Sequence, residues 1–152
     1  MITFEYGDIF RSAAHVLVCP VSCDGTKEGP TTDFATRFPG EWKQYEAAAC
    51  GGRAQLGDVV VVAVRDVGGA YGTQYVVYFP MRKRYGDAVN QTTLDGGLTA
   101  LRGWALTTDG IASMALPRSM FADQYWPTMF TALRSKLGKL PFEDSIKVMV
   151  YA

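Results

Sequence analysis

Apolar and polar positions along this chain change rhythm in short blocks, and the blocks predict both strands and helices. Ile2 to Tyr6 alternates with a period of two and reads as a short strand, and His15 to Val21 reads as a buried one. From Phe34 to Cys50, Phe34, Phe38, Trp42, Tyr45 and Ala49 recur at three- and four-residue steps, the spacing of one helical face. Pro39-Gly40 divides that stretch and Gly51-Gly52 stops it. Asp58 to Val67 is a valine-rich run of the kind expected in a strand buried on both faces. Gly68-Gly69 then turns the chain into Gln74 to Phe79, which predicts a hairpin. Thr92 to Thr107 is a helix with Leu94, Leu98, Leu101 and Ala105 along one stripe. Ile111 to Leu116 is a buried strand, Asp123 to Leu137 an amphipathic helix, and Ile146 to Tyr151 a closing strand. With no repeat, low-complexity tract or linker, residues 1–152 read as one α/β domain: a mixed, mostly parallel sheet sandwiched between helices.

Composition narrows what such a domain does. Of 152 residues, 48% are apolar and 20% charged, a globular balance and not a disordered one. No apolar run approaches the roughly 20 residues a membrane-spanning helix needs. The N-terminal stretch carries no basic leader, so no secretory signal is expected and the cytoplasm is the expected location. The formal net charge is zero, which argues against a broad duplex-DNA-binding face. Cys19, Cys23 and Cys50 form no CxxC pair, and His15 is the single histidine, so no metal site is expected. The thiols read as reduced, and His15 as structural.

Candidate chemistry gathers where apolar strands meet unusual polar loops. The stretches are "VLVCPVSCDGTKEGP", "VVYFPMRKRYGD" and "MALPRSMFADQYW". Each holds a proline near the strand end, expected to set the exit direction and end ladder pairing. Open α/β sheets bind ligands beyond the carboxyl ends of their strands. Three such loops at one end of a sheet favour a pocket there.

On these stretches the chain resembles the macrodomain family, the ADP-ribose-binding fold, near the branch of lysine-dependent ADP-ribosyl glycohydrolases that includes DNA-ADP-ribose antitoxins. "GDIF" follows the first strand where macrodomains carry Gly-Asp-Ile or Gly-Asp-Leu. "DFATRFPGEWKQYEAAACGGRAQLGDVVVV" resembles the family's helix with its Phe-Pro break and the strand after it. "YFPMRKRYGD" resembles the branch's Asn-Phe-Pro-Thr-Lys stretch, and "GIASMALP" with "DQYW" its next strand and the start of its last helix.

The resemblance implies roles residue by residue. Asp8 matches the aspartate that accepts the adenine amino group, with Ile9 beside it for backbone contact; Asp8 also reads as a helix N-cap. Cys19 and Ser22 stand where the branch has asparagines that order the distal ribose. Gly25 matches a family glycine, but the phosphate loop is shortened to Thr26-Lys27-Glu28-Gly29-Pro30. Glu28 there opposes phosphate, and Pro30 lacks an amide donor. Arg118, Ser119, Met120 and Phe121 replace the second, glycine-bearing phosphate loop. Arg82 occupies the place of the nucleophilic lysine and Lys83 is its neighbour; Asp123 aligns with the acidic assistant and reads equally as an N-cap. Arginine stays protonated, so it clamps anions and is a poor nucleophile. Three functions are compatible with these residues: binding of ADP-ribose or a related adenine nucleotide without cleavage, ADP-ribosyl glycohydrolysis on nucleic acid or protein, or protein interaction with a filled pocket. No cofactor is implied, and the divergent, compact chain suits a phage or mobile element.

Overall fold

A computed structural model describes residues 2–65, 72–120, 126–138 and 145–152. The Gly68-Gly69 turn, Phe121 and Asp123 lie outside them. The strands are β1 (Ile2–Glu5), β2 (Val16–Ser22), β3 (Val60–Ala63), β4 (Tyr75–Arg82), β5 (Ser113–Pro117) and β6 (Lys147–Tyr151). The helices are α1 (Pro30–Arg37), α2 (Pro39–Cys50), α3 (Gln91–Leu106) and α4 (Trp126–Leu137). Among the described residues the six strands form one sheet, in the order β1-β6-β5-β2-β4-β3. Every neighbouring pair is parallel except β3 with β4, the hairpin expected from the sequence.

Alternation along β2 divides the interior into two cores. Val16 and Val18 join Leu94, Leu98 and Leu101 of α3 and Leu133 and Leu137 of α4 on one face. Leu17, Cys19 and Val21 join Phe34 of α1 and Trp42 and Tyr45 of α2 on the other. Successive strand residues point to opposite faces, so one apolar run serves both layers. The α1–α2 break falls at Phe38, whose extended φ of −126° follows from the proline after it. Phe38 still donates its amide to Phe34 O at 2.8 Å, so the two helices form a bent continuous arm. Asn90 caps α3 by accepting the Thr93 amide at 2.7 Å.

Two sequence expectations are corrected. β3 is an edge strand and not one buried on both faces: Val60 and Val61 are half-buried and Ala63 is exposed. The hairpin places it at the end of the sheet, where half of its backbone has no neighbour. Nor do the prolines end pairing, since β2 continues past Pro20 to Ser22 and β4 past Pro80 to Arg82. β2 pairs with β5 only through Val16 and Leu17, so farther along, that side of β2 is open and a residue without N–H is tolerated. The β2–β4 register shifts between Val21 and Ser22 as the strands end. No described helix is long and apolar enough to cross a membrane.

Candidate functional site

Because β2 and β5 separate after Leu17, a crevice opens between their carboxyl ends. After β2 the chain adds β3 and β4 on one side of it, then β5 and β6 on the other, where β1 forms the far edge. That is a switch point of the kind where α/β sheets hold ligands. The crevice contains a cavity of about 260 Å³. Pro20, Val21 and Ser22 of β2 line it, with Thr26, Glu28, Gly29, Pro30 and Thr31 from the following loop and the start of α1. Met81 and Arg82 of β4 and Ser119 and Met120 after β5 complete the wall.

The wall is braced from the core. Tyr45 donates its hydroxyl to Ser22 O at 2.8 Å, and Thr31 donates its own to Pro20 O at 2.7 Å. Two loops are tied together at the mouth. The Cys23 amide donates to Arg82 O at 2.9 Å, and the Tyr85 amide donates to Asp24 Oδ2 at 3.0 Å. Asp24 also accepts the Thr26 amide through Oδ1 at 3.0 Å, an Asx turn. The Tyr85 N–H leads in holding the Asp24 carboxyl below its ordinary range. The negative charge of Glu28 raises the pKa of the Tyr85 phenol. Burial raises the Cys23 thiol, with Asp24 adding to the shift and Lys83 opposing it.

Of the residues singled out from sequence, Ser22, Gly29, Arg82, Ser119 and Met120 meet at this cavity. Cys19 does not. It is fully buried in the α1–α2 core, where desolvation pushes its thiol well up. It lies deeper along β2 than Pro20, Val21 and Ser22, which reach the strand's open end. Lys83 is exposed and outside the lining, whereas Arg82, one residue earlier, is half-buried within it. Gly25 lies in the loop with φ +78° and donates its amide to Ser22 O. Arg118 is half-buried outside the lining, and Phe121 and Asp123 are not described. Asp8 stands apart as the N-cap of a short 3-10 turn, Ile9–Arg11, accepting the Phe10 amide at 3.0 Å. Its second oxygen lies 3.8 Å from Arg37 Nη2, and the Arg37 guanidinium sits over the Phe10 ring. Ile9 packs against the α1–α2 core. The sequence reading missed the Asp24–Tyr85 tie; the Asp-Gly-Thr turn chemistry was its available signal.

No protein-family model matches the sequence. The chain is 31% identical over 149 residues to the DNA ADP-ribosyl glycohydrolase of Mycobacterium tuberculosis, covering 96% of this chain and 41% of that protein. It therefore spans about two fifths of the length of the curated relative it matches. The solved macrodomain of Mycobacterium tuberculosis DarG superposes with a TM-score of 0.86 at 28% identity, covering 99% of this chain and 97% of that one. The chain is a macrodomain. It stands near the DarG branch, as "YFPMRKRYGD" and "GDIF" had implied. The same macrodomain fold recurs in Thermosipho africanus DarTG in complex with ADP-ribose, at a TM-score of 0.82 and 18% identity, covering 98% of this chain and 41% of that one. Among the described residues no group of three or more His, Cys, Asp or Glu side chains is arranged to hold a metal ion.

Proposed function

We propose that this macrodomain binds ADP-ribose, or a closely related adenine nucleotide, without cleaving it. The observation that carries the reading is the cavity at the β2/β5 switch point with Arg82 among its lining residues. In this reading Asp8 accepts the adenine amino group, the backbone at Ile9 borders the base, and Arg82 meets the diphosphate. An arginine offers several donors in a fixed fork and remains charged, which suits phosphate clamping. Ser22, Gly29, Ser119 and Met120 shape the remaining wall. The cavity stays open beside Met120, which weighs against a pocket filled by its own side chains. The free thiols Cys19, Cys23 and Cys50 support a cytoplasmic setting.

Calorimetric titration with ADP-ribose tests the reading directly, and a thermal shift gives a second readout. A ligand at a hundredfold its dissociation constant adds about 2.7 kcal/mol of stability. Absence of binding at millimolar ADP-ribose sinks the proposal.

The relative named as a DNA ADP-ribosyl glycohydrolase favours a second reading, hydrolysis. That chemistry needs a neutral amine aimed at the anomeric carbon. Arg82 does not supply one, and Lys83 is exposed outside the cavity lining. ADP-ribosylated DNA and ADP-ribosylated protein, offered to the protein and to Lys83→Ala, separate the two readings. Release that vanishes in Lys83→Ala makes Lys83 the nucleophile, with Asp123 its candidate assistant.

A further inference from the structure

Arg82 stands where the sheet supports it least. Among the described residues β3 pairs with β4 from Tyr75 to Tyr78, so from Phe79 onward β4 is laddered to β2 alone. At the end of that ladder Val21 and Ser22 face Pro80 and Arg82, and Met81 is passed over. A one-residue slip of this kind redirects the side chain that follows it. Here that side chain belongs to Arg82, the basic residue among those lining the cavity.

What holds the slip lies beyond the sheet. The Cys23 amide donates to Arg82 O at 2.9 Å, and three residues on, the Tyr85 amide donates to Asp24 Oδ2 at 3.0 Å. Residues 84–87 close on themselves, with the Arg84 amide donating to Asp87 Oδ2 at 3.2 Å and the Asp87 amide to Arg84 O at 3.1 Å. The other oxygen of Asp24 stiffens its own loop by accepting the Thr26 amide at 3.0 Å. One carboxylate therefore joins two turns, one on each side of the cavity mouth. Asp24 is exposed and outside the cavity lining, so it is not placed to touch a ligand there. Its negative charge opposes an anionic ligand, so attraction does not account for it.

We propose that Asp24 is a positioning residue: by holding the Tyr85 amide it fixes the end of β4 and presents Arg82 to the diphosphate of the bound nucleotide. This rests on the nucleotide-binding reading above and adds to it a residue that acts without touching the ligand.

The test is calorimetric titration of ADP-ribose at neutral pH into the wild type, Asp24→Asn, Arg82→Gln and the double variant, each checked for a folded melting transition. Asparagine is nearly isosteric and keeps one acceptor for the Thr26 amide, but it turns an NH2 group toward the Tyr85 N–H. Charge and positioning then predict opposite signs. Removing a negative charge about a Debye length from the ligand tightens binding by roughly twofold or less. Loosening Arg82 weakens it by about three- to tenfold, the scale of ordering one long side chain on binding. A contact that served stability alone would lower the melting temperature and leave the affinity of the folded protein unmoved. The expected result is weaker binding in Asp24→Asn that disappears in the Arg82→Gln background, because the two residues act as one unit. Equal or tighter binding in Asp24→Asn overturns the inference, and so does the same loss with Arg82 already replaced; either leaves the binding reading standing. No ADP-ribose binding to the wild type removes both.

Discussion

Replacing Gly97 by alanine is expected to destabilise the protein, although alanine is the better helix former. Gly97 lies in α3 against β4, and a Cβ built there would sit 2.3 Å from Phe79 Cζ, 2.6 Å from Cε1 and 2.9 Å from Cε2. Carbon atoms pack at about 3.5–4.0 Å, so the ring must retreat by more than about 1 Å. Phe79 is fully buried, with Leu94, Leu98 and Met81 in the same core, so any retreat of the ring pushes on that core. Overpacking of this kind costs about 1–3 kcal/mol, and the upper end applies because three ring atoms are hit. The helix-propensity gain of alanine over glycine returns about 1 kcal/mol, leaving a net loss of about 2 kcal/mol. Gly103, on the exposed side of the same helix, has nothing within 4 Å of its Cβ position and serves as the control. Gly103→Ala should stabilise by about 0.5–1 kcal/mol. Urea unfolding reads both, provided the slope is unchanged so that midpoint shifts report stability. In a domain of this size the Gly97 loss corresponds to a melting point lowered by roughly 4–8 °C. Phe79 also stands close before Met81 and Arg82 on β4, so the variant should weaken ligand binding at the cavity as well. Stability at or above the wild type for Gly97→Ala, with Gly103→Ala behaving as stated, would refute the packing argument.

Asp8→Ala should lose about 1 kcal/mol of stability through its cap, and about 1.5–3 kcal/mol of adenine-nucleotide affinity. Calorimetry with unchanged affinity would move the base elsewhere. The folded-state pKa of Asp24 is lowered by the Tyr85 and Thr26 amides, so its contribution is present above the unfolded aspartate value and disappears as pH falls through the folded one. Below the ordinary aspartate range the Tyr85 amide should exchange faster with solvent. Asp24→Asn should show that fast exchange already at neutral pH, and equal protection in both proteins would contradict the tie. Thiol labelling should modify exposed Cys50 at once, Cys23 slowly, and buried Cys19 only on unfolding. Labelling of Cys19 in native protein at the rate of Cys50 would contradict its placement.

Much of the fold is legible in the sequence alone, because periodicity and breakers are local. The stripe Leu94, Leu98, Leu101 and Ala105 predicts a helix and is buried along α3. Pro39 splits the long helical stretch where Phe38 leaves helical geometry. The valine run of β3 misleads because local hydrophobicity does not distinguish a central strand from an edge strand; only the strand order does. At the site, the sequence determined which chemical groups would reach the carboxyl end of the sheet: a serine, an acidic loop and a basic run after Phe79-Pro80. Tertiary structure decided which of them meet. Position along β2 kept Cys19 in the core, whereas Pro20, Val21 and Ser22 at the strand end reach the cavity. At the end of β4, Met81 and Arg82 reach the wall and Lys83, beyond the strand, lies outside it. The physical reason is that a side chain's type is written at its own position, whereas the face it occupies depends on partners far away in the chain. The separation of β2 from β5 after Leu17 opens the cavity, and nothing within either strand's sequence announces it.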